Sequence, residues 1–563
     1  MRRPGPESSP HTGGDAVVDV LEQAGVEVVF GIPSVHNLPI YDALERRGTI
    51  RAVTVRHEQT AAGAADGYAR VSGRLGVLIT STGPGAANAM GGLLEARVSG
   101  SPLLHLTGQI ETRYLGLNRG FIHEVPDQAS MLRSLSKEVV RVERADDVAS
   151  SVADAIAAAT AAPQGPVSVE IPIDLQYAET ARDSWQPVSG DEGRVDRAAP
   201  PAAWTEAAER IAAARRPVIW AGGGAVRAGA EAEVAALARR IGAGVLTTPN
   251  ARGVLPEDDP LSIGNLSWDP EVRELLGEAD LLIGIGTRYQ GPNTENWRMA
   301  LPATIVQIDV DPSVPGRNYR ATVAAKGDAK AVLSFVLGQL GQQPREENSS
   351  WLDQVASVAS RARSRLRSAI GPQAELLDAL AALLDEHTVV VKDSTIPAYT
   401  WGNRLLPVTR SRTAIMPNGF AIGLGLAHSL GAAVANRPSP VICMVGDGGF
   451  MLTATELATI AQHQLPVVVI VFNDGGYGIL RNIQDKQYDR RIGVDLGRPD
   501  FCGLARSLGV EAESVSTAAG FGTAVKAALG SARPYLVEVD VDAIGPMPKP
   551  YTGTSRPPST PDR

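Results

Sequence analysis

Short apolar runs alternate with segments of helical periodicity along most of the chain. In the N-terminal third the strand-like runs are Val26–Phe30, Ala52–Val55, Gly76–Thr80, Pro102–Leu106 and Val167–Ile171. Because helical segments separate these runs, the strands are expected to run parallel, with their carboxyl ends at one edge of a sheet. The pattern predicts an α/β fold whose functional loops follow the strand ends.

The same alternation continues through the rest of the chain. Central strands are predicted at Pro217–Trp220, Ala243–Thr247, Leu281–Ile285 and Ile305–Ile308, and C-terminal strands begin at Val389 and Thr413. Polar, proline-bearing connections divide the pattern into three domains with mostly parallel sheets. The predicted segments are a disordered N-terminus 1–12, a first domain 13–185, a linker 186–204, a central domain 205–340, a linker and helix 341–370, a third domain 371–545 and a flexible tail 546–563.

The most informative stretch of the third domain runs from Val441 to Leu480. One apolar run ends at Gly446-Asp447-Gly448, and the next ends at Asn473-Asp474. In a parallel strand-helix-strand unit both ends reach the same sheet edge, where open α/β sheets bind ligands. Carboxylate, amide and carbonyl oxygens are ligands that Mg²⁺ accepts, together with phosphate and water. The alternative is that Asp and Asn serve only as turn residues.

Two local features accompany these loops. Gly448 and Gly449 leave backbone space beside Asp447 for a bulky anion, and amide groups near a helix start favour phosphate. Thr453 and Glu456 fit a capping box at the start of the helix between the two strands. The stretch therefore predicts a site for a phosphate group and its metal ion.

Composition narrows the class of protein. The chain has 563 residues, 44% hydrophobic and 20% charged, with a net charge of -9. These values suit a globular protein of about three domains and argue against a nucleic-acid partner. Long apolar runs and a secretory signal are not evident, so we expect no membrane span and a cytoplasmic location. Cys443 and Cys502 are far apart in sequence and belong to no metal-like cluster.

Glu58 is the candidate catalytic residue of the first domain. It follows the strand ending at Val55 and stands at the mouth of a helix rich in small residues. A carboxylate at this position can act in catalysis, or it can be only a favourable partner of the helix dipole.

Several motifs carry a family resemblance. Gly446-Asp447-Gly448 followed by Asn473-Asp474 resembles the diphosphate-and-magnesium motif of thiamine diphosphate enzymes. The segments FGIPSVHNLPIYDAL, RHEQTAAGAADGYAR, TSTGPGAANAM and LTGQI are similar to the pyrimidine-binding domain of acetolactate synthases and related 2-oxo-acid decarboxylases. The resemblance implies two related thiamine diphosphate-binding folds on either side of a Rossmann-like central domain.

The resemblance also implies a metal site. The side chains of Asp447 and Asp474 and the main-chain carbonyl of Gly476 would hold Mg²⁺ against the diphosphate, with the Gly446–Gly449 segment beside it. The family usually has Asn-Asn where this chain has Asn473-Asp474. The extra negative charge leaves open whether Asp474 or Asn473 is the ligand.

Further roles are implied for the reactive end of the cofactor. Glu58 would bind the aminopyrimidine ring and favour its imino tautomer, which accepts the thiazolium proton. Ile422 would wedge between the two rings, although an isoleucine there also suits a helix core. Gln109 resembles an active-site glutamine, the alternative being an exposed loop residue. Gly83 lies in a Gly-Pro-Gly turn at the cofactor, or serves packing alone.

Two histidines, His123 and His36, are possible acids or bases in loops, where structural histidines are common. Pyruvate-type decarboxylases place an acid where Val35 stands and a histidine pair near Ser81 to Gly83, and this chain has neither. A site without those proton donors favours carboligation. The stretch IHEVPDQ, however, looks like members that decarboxylate larger, basic 2-oxo acids.

The resemblance thus implies decarboxylation of a 2-oxo acid and carboligation of the resulting enamine to an acceptor carbonyl, as in acetolactate synthases. Non-oxidative decarboxylation of a larger 2-oxo acid to an aldehyde is the alternative, and a reaction with a thioester-linked substrate is a third hypothesis. A hypothesis from another class is a silent cofactor-binding paralogue. The family resemblance further implies a homodimer or homotetramer with sites at the subunit interface. In acetolactate synthases the central domain carries FAD, but Thr287-Arg288-Tyr289-Gln290 replaces the expected arginine-and-acid stretch, so FAD is doubtful here.

Overall fold

The computed structural model describes residues 10–181, 201–341, 349–488 and 490–552. Residues 1–9 of the predicted N-terminal segment and 182–185 at the end of the predicted first domain lie outside these ranges. The same holds for 186–200 and 342–348 in the predicted linkers and for 553–563 in the predicted tail. Within the described ranges, no helix combines the length and the apolar character needed to cross a membrane.

The N-terminal segment forms a six-stranded parallel sheet in the order β2-β1-β3-β4-β6-β5. Its strands are β1 (Val28–Gly31), β2 (Arg51–Thr54), β3 (Gly76–Thr80), β4 (Leu103–Gln109), β5 (Glu138–Arg141) and β6 (Pro166–Pro172). Its helices are α1 (Gly13–Gln23), α2 (Leu38–Arg47), α3 (Glu58–Ser72), α4 (Pro84–Asn88), α5 (Met90–Ser99), α6 (Gln128–Arg133), α7 (Val148–Thr160) and α8 (Ile173–Tyr177). Strands β3 and β4 are buried along their whole length, which explains their continuous apolar character.

The central segment forms a second parallel sheet, in the order β12-β11-β10-β7-β8-β9. Its strands are β7 (Pro217–Ala221), β8 (Gly244–Thr247), β9 (Ser262–Gly264), β10 (Leu281–Ile285), β11 (Ile305–Asp309) and β12 (Val323–Lys326). Its helices are α9 (Ala202–Ala213), α10 (Gly223–Arg227), α11 (Glu231–Ile241), α12 (Pro270–Glu278), α13 (Ala329–Gln339) and α14 (Ser349–Ala369). Counted from β7, this is the doubly wound order of a Rossmann fold.

The third sheet has the order β14-β13-β15-β16-β18-β17. Its strands are β13 (Val389–Lys392), β14 (Ala414–Ile415), β15 (Val441–Gly446), β16 (Val467–Asn473), β17 (Glu511–Val515) and β18 (Tyr535–Asp540). The C-terminal helices are α15 (Gln373–Ala381), α16 (Gly425–Asn436), α17 (Asp447–Met451), α18 (Glu456–Gln462), α19 (Gly478–Tyr488), α20 (Phe501–Ser507), α21 (Ala518–Ser531) and α22 (Val541–Ile544). Strand for strand, this order repeats that of the first sheet, so the prediction of two related folds flanking a Rossmann-like domain is confirmed.

Residue contacts divide the chain into two compact units. Unit 1 comprises residues 1–197, 417–437 and 453–465, and unit 2 comprises the remainder. In unit 1, α3 and α16 pack closely because small residues line their crossing. A Cβ on Gly67 would overlap the His428 carbonyl oxygen, and one on Gly431 would overlap that of Ala64. In unit 2, one apolar core runs from Val218 and Trp220 to Trp401, Ile470 and Phe472.

Candidate active site

Glu58 is the first residue of α3, at the carboxyl end of β2, as the sequence predicted. Its Oε2 atom accepts a hydrogen bond of 2.9 Å from Asn88 Nδ2. The Gly-Pro-Gly turn lies directly beside it, since a Cβ on Gly85 would be 3.3 Å from Glu58 Oε1. Burial and the Glu58 charge raise the pKa of the nearby Tyr41 hydroxyl, which has no hydrogen-bond partner in the described structure. The carboxylate is thus held by one amide with its other oxygen facing a glycine turn.

Gly83 adopts a left-handed conformation, with φ of 57°. Its amide donates to Gln128 Oε1 over 2.6 Å, and a Cβ at this position would overlap the His123 carbonyl oxygen. The positive φ angle and the overlap with the His123 carbonyl both require glycine at this turn. Gln128 was missed by sequence reasoning, although it closes the IHEVPDQ stretch.

Gln109 ends β4 and is 2% exposed, so the exposed-loop alternative is wrong. Its Oε1 atom accepts hydrogen bonds from Thr82 Oγ1 at 3.1 Å and from the Ile110 amide at 2.8 Å. Gln109 also lines a cavity of about 360 Å³, together with Glu124, Asp127, Arg133 and Arg141. The glutamine is therefore fixed in orientation beside a space that a small molecule can enter.

His36 and His123 come together around Ser81. The Ser81 hydroxyl lies 3.1 Å from His123 Nδ1 and 3.4 Å from His36 Nδ1, and the ring centroids are 5.2 Å apart. Burial and the neighbouring His123 lower the pKa of His36 to about 4. The segment Ser81 to Gly83 itself carries no histidine, but two loops that are distant in sequence bring His36 and His123 to Ser81. No sequence signal joins residues this far apart.

Asp447 is the first residue of α17, and Asp474 follows β16 in the adjacent loop. Burial raises the pKa of the Asp447 carboxyl, although the amides of Gly448 and Gly476 donate to it. Burial and the neighbouring Asp447 carboxylate raise the pKa of Asp474 to about 6. Asp474 Oδ1 is buried without a hydrogen-bond partner in the described structure, and Arg481 approaches it only to 4.0 Å. A buried carboxylate next to a partly buried one, with one unsatisfied oxygen, fits a divalent cation.

Asn473 differs from Asp474 in that both ends of its side chain are occupied. Its Nδ2 donates to Glu538 Oε1 over 2.8 Å, and its Oδ1 accepts from the Gly475 amide at 3.2 Å. The Asn473 amide is thus already held by two neighbours, whereas Asp474 Oδ1 has no hydrogen-bond partner among the described residues.

Glycines surround the two carboxylates. A Cβ on Gly448 would lie 2.7 Å from the Tyr477 ring, and one on Gly446 would lie 3.1 Å from Thr395 Oγ1. Gly449 is buried on α17, and the Gly476 backbone pairs with Asp495. The close approaches explain why side chains are absent at Gly446 and Gly448, and they leave backbone groups beside the carboxylates, as a bound diphosphate requires.

The predicted capping box at Thr453 and Glu456 does not form. Helix α18 begins at Glu456 without a side-chain cap, and the Thr453 hydroxyl donates instead to the Gly423 carbonyl at 3.2 Å. Glu456 is fully buried and accepts a 2.9 Å hydrogen bond from the Arg56 amide, two residues before Glu58. A tertiary contact within unit 1 has replaced the local one.

In the central sheet, Gly222–Gly224 pack against the loop after β10. The Gly222 amide donates to the Ile285 carbonyl at 2.8 Å, and the Gly224 amide donates to the Gly286 carbonyl at 3.1 Å. Both amides are satisfied inside the protein, so this glycine cluster is accounted for by helix–strand packing.

Comparison with known proteins agrees with this geometry. Models of thiamine pyrophosphate enzymes match in three parts: the N-terminal TPP binding domain at residues 11–131, the central domain at 204–336 and the C-terminal TPP binding domain at 397–539. A probable acetolactate synthase large subunit from Methanocaldococcus jannaschii is 33% identical, covering 95% of this chain and 93% of the relative.

Two further relatives also match over most of the chain. A probable 2-ketoarginine decarboxylase, AruI, from Pseudomonas aeruginosa is 36% identical over 88% of both chains. The acetolactate synthase isozyme 1 large subunit of Escherichia coli is 31% identical over 94% of both. With all three domain models matched in order and relatives aligned over nearly their whole length, the chain belongs to the thiamine pyrophosphate enzyme family.

Proposed function

We propose that this enzyme decarboxylates a 2-oxo acid and joins the remaining acyl unit to an acceptor carbonyl, in the manner of an acetolactate synthase. The observation that carries the proposal is the full-length similarity to acetolactate synthase large subunits from distant organisms. When bound, thiamine diphosphate supplies a carbon nucleophile and accepts the electron pair that CO₂ leaves behind. The residues of the chain bind this cofactor, orient it and manage protons.

At the diphosphate end, Asp447, Asp474 and the Gly476 carbonyl would hold Mg²⁺, and the Gly446–Gly449 backbone would receive the phosphates. Asp474 is favoured over Asn473 as ligand, because Asp474 Oδ1 is unsatisfied while both ends of the Asn473 amide are engaged. A divalent ion beside these carboxylates also offsets their mutual repulsion, which otherwise favours protonation of one of them.

At the pyrimidine end, Glu58 would hydrogen-bond the pyrimidine ring of the cofactor and supply the carboxyl group needed for its activation. Asn88 holds the carboxylate for this contact. Ile422 would pack against the rings of the bound cofactor and so help to set its conformation. Gln109 presents an oriented side-chain amide to the substrate, beside the cavity at the end of β4.

His123 and His36 provide proton transfer near the substrate. His36 has a pKa of about 4 and is neutral at pH 7, so its ring can both accept and donate a hydrogen bond. The Ser81 hydroxyl lies between the two Nδ1 atoms and can pass a proton from one ring to the other.

Release of a free aldehyde from a larger 2-oxo acid is the second candidate, and this histidine pair favours it. A proton donor beside the substrate carbon speeds protonation, which competes with attack on an acceptor. A relative named as a probable 2-ketoarginine decarboxylase lies at similar identity, which supports a larger, basic 2-oxo acid as substrate in that case.

A product assay separates the two candidates. The purified protein is incubated with thiamine diphosphate, Mg²⁺ and either pyruvate or 2-oxo-5-guanidinopentanoate, and CO₂ and organic products are measured. CO₂ with a condensed hydroxyketo acid supports carboligation, and CO₂ with free aldehyde supports the decarboxylase. Cofactor binding without CO₂ from any 2-oxo acid contradicts both and indicates a silent paralogue. Glu58→Gln serves as the inactive control.

A homodimer or homotetramer completes the proposal, and the family resemblance, which implies that each site is built from two subunits, supports it. Sedimentation at micromolar concentration tests it, and a monomer that retains turnover contradicts it. FAD is left out of the proposed cofactor set, because the amides of Gly222 and Gly224 already donate within the domain. A cytoplasmic location stays a prediction.

A further inference from the structure

Helix α5 carries a buried carboxylate, Glu95, that binds the backbone of a distant loop in unit 1. Its side chain is 1% exposed. Glu95 Oε1 accepts from the Asn418 amide at 2.5 Å, and Oε2 accepts from the Gly419 amide at 2.8 Å. Each carboxylate oxygen thus takes one of two consecutive amides, an arrangement that fixes both the position and the direction of the loop.

Ser99, one turn further along α5, strengthens this contact. Its hydroxyl donates to Glu95 Oε1 at 2.8 Å and accepts from Asn418 Nδ2 at 2.9 Å. Both the backbone and the side chain of Asn418 are therefore bound to the same helix. Four hydrogen bonds connect Glu95, Ser99 and residues 418–419 into one closed network.

A buried carboxylate requires compensating charge, and the surrounding helices provide it. Arg70 of α3 lies 3.7 Å from Glu95 and 3.6 Å from Asp66, and His428 of α16 lies 2.9 Å from Asp66. Ser101 also donates to Asp66. A positive charge thus lies close to the Glu95 side chain where it holds the loop.

The loop held in this way has an unfavourable backbone conformation. Phe420 has φ of 57°, which is rare for a residue with a side chain, and Gly423 has φ of 87°. Such a conformation persists only where the surroundings over-determine it. Glu95 fixes the loop before Phe420, and the Thr453 hydroxyl binds the Gly423 carbonyl after it. Ile422 lies between these two fixed points.

We infer that Glu95 is a positioning residue that sets the placement of Ile422 by holding the Asn418 and Gly419 amides. The inference rests on the proposed function, in which Ile422 helps to set the conformation of the bound cofactor. The helical segment 84–99 then has two tasks, because its Asn88 orients Glu58 while its Glu95 orients the loop of Ile422. Diphosphate and metal binding involve other residues and are expected to be independent of Glu95.

Glu95→Gln tests the inference, because an amide retains one acceptor oxygen and turns an NH₂ donor toward the second backbone amide. In the cofactor-free protein, peptides covering 417–424 should exchange amide hydrogen at least tenfold faster than in wild type. Thiamine diphosphate affinity with Mg²⁺ should change less than threefold. Hydrogen–deuterium exchange at C2 of the bound cofactor, measured by quenching and NMR, should slow at least tenfold.

Ile422→Ala completes a double-mutant cycle. If Glu95 acts through Ile422, the double variant exchanges C2 no more slowly than Ile422→Ala alone. Glu257→Gln, which removes a buried carboxylate bound to Arg252 in the central domain, is the matched control and should leave C2 exchange unchanged. If Glu95→Gln fails to fold, Glu95→Asp keeps the charge, shortens the reach and should give the same pattern.

Several results overturn the inference. The first is unchanged amide exchange of residues 417–424 in a Glu95 variant. The second is a wild-type C2 exchange rate in a folded Glu95 variant. The third is that the effects of Glu95→Gln and Ile422→Ala on C2 exchange add. Failure of the proposed function looks different, because wild-type protein would then neither bind thiamine diphosphate nor exchange its C2 proton, while the loop protection by Glu95 would still be measurable.

Discussion

Replacing Asp474 by asparagine is predicted to remove a proton-coupled step from metal binding. Burial and Asp447 raise the pKa of Asp474 to about 6 from an ordinary 3.8. Above pH 6 the carboxylate is ionised and available to Mg²⁺, whereas below pH 6 the metal must displace a proton. At pH 5 about one molecule in ten is ionised, so affinity should fall about tenfold, or about 1.4 kcal/mol, on this account alone.

Isothermal titration of Mg²⁺ at saturating thiamine diphosphate, at pH 7.5, 6 and 5, measures this effect. Because phosphate groups themselves titrate near pH 6, the informative quantity is the ratio of wild-type to Asp474→Asn affinity at each pH. We expect this ratio to fall about tenfold between pH 7.5 and pH 5. The variant should still bind metal at pH 7.5, because an amide oxygen can also ligate Mg²⁺. Asp495→Asn, which alters an exposed carboxylate paired with Arg481, is the matched control.

The raised pKa of Asp474 should also change the stability of the metal-free protein with pH. In the folded state Asp474 holds its proton up to about pH 6, whereas in the unfolded chain it loses the proton near 3.8. The folded state therefore loses stability as the pH rises from about 4 through 6, and Asp474→Asn should not show this loss. Identical pH profiles for wild type and Asp474→Asn, with metal and with chelator, would refute the reasoning. If Asp474→Ala leaves metal affinity unchanged, Asn473 is the ligand.

Three further predictions concern the first domain. Glu58→Gln should keep thiamine diphosphate affinity but lower kcat by about 10² to 10⁴. Steady-state rates at equal cofactor occupancy measure this effect. A kcat within a factor of three of wild type rules out proton transfer by Glu58. Gly83→Ala should lower the melting temperature and weaken substrate binding, since the new methyl group overlaps the His123 carbonyl in a left-handed turn; an unchanged melting curve contradicts the strain argument. If the histidine pair delivers the proton, His36→Phe should lower the ratio of free aldehyde to condensed product several-fold. Gas chromatography measures both products, and an unaltered ratio contradicts proton delivery by this pair.

Much of the fold could be predicted from the chain alone because the central strands of the sheets are buried along their whole length. Continuous apolar runs such as Val441–Gly446 and Val467–Asn473 mark central parallel strands without ambiguity. Parallel topology then brings the loops after β15 and β16 to one edge, so the proximity of Asp447 and Asp474 followed from connectivity.

Local rules were less dependable where tertiary contacts compete with them. Thr453 and Glu456 have the spacing of a capping box, yet the threonine binds Gly423 and the glutamate binds the Arg56 amide. Both side chains gain a buried partner that a helix cap in solvent does not offer. Pattern reasoning could not anticipate this, because those partners are remote in sequence.

The histidine pair and Glu95 were missed for a related reason. His36 and His123 belong to different loops and meet only through Ser81, and neither lies in a motif whose spacing predicts the contact. Glu95 sits in a helix among small and apolar residues, where a glutamate ordinarily faces solvent. Only its burial against the Asn418 and Gly419 amides shows that it holds a loop.

The most direct test is calorimetric titration of the metal-depleted protein with thiamine diphosphate, with and without Mg²⁺. We expect saturable binding at one site per chain that depends on divalent metal and is lost in Asp447→Ala. A folded wild-type protein that takes up no thiamine diphosphate when Mg²⁺ is present would contradict this expectation.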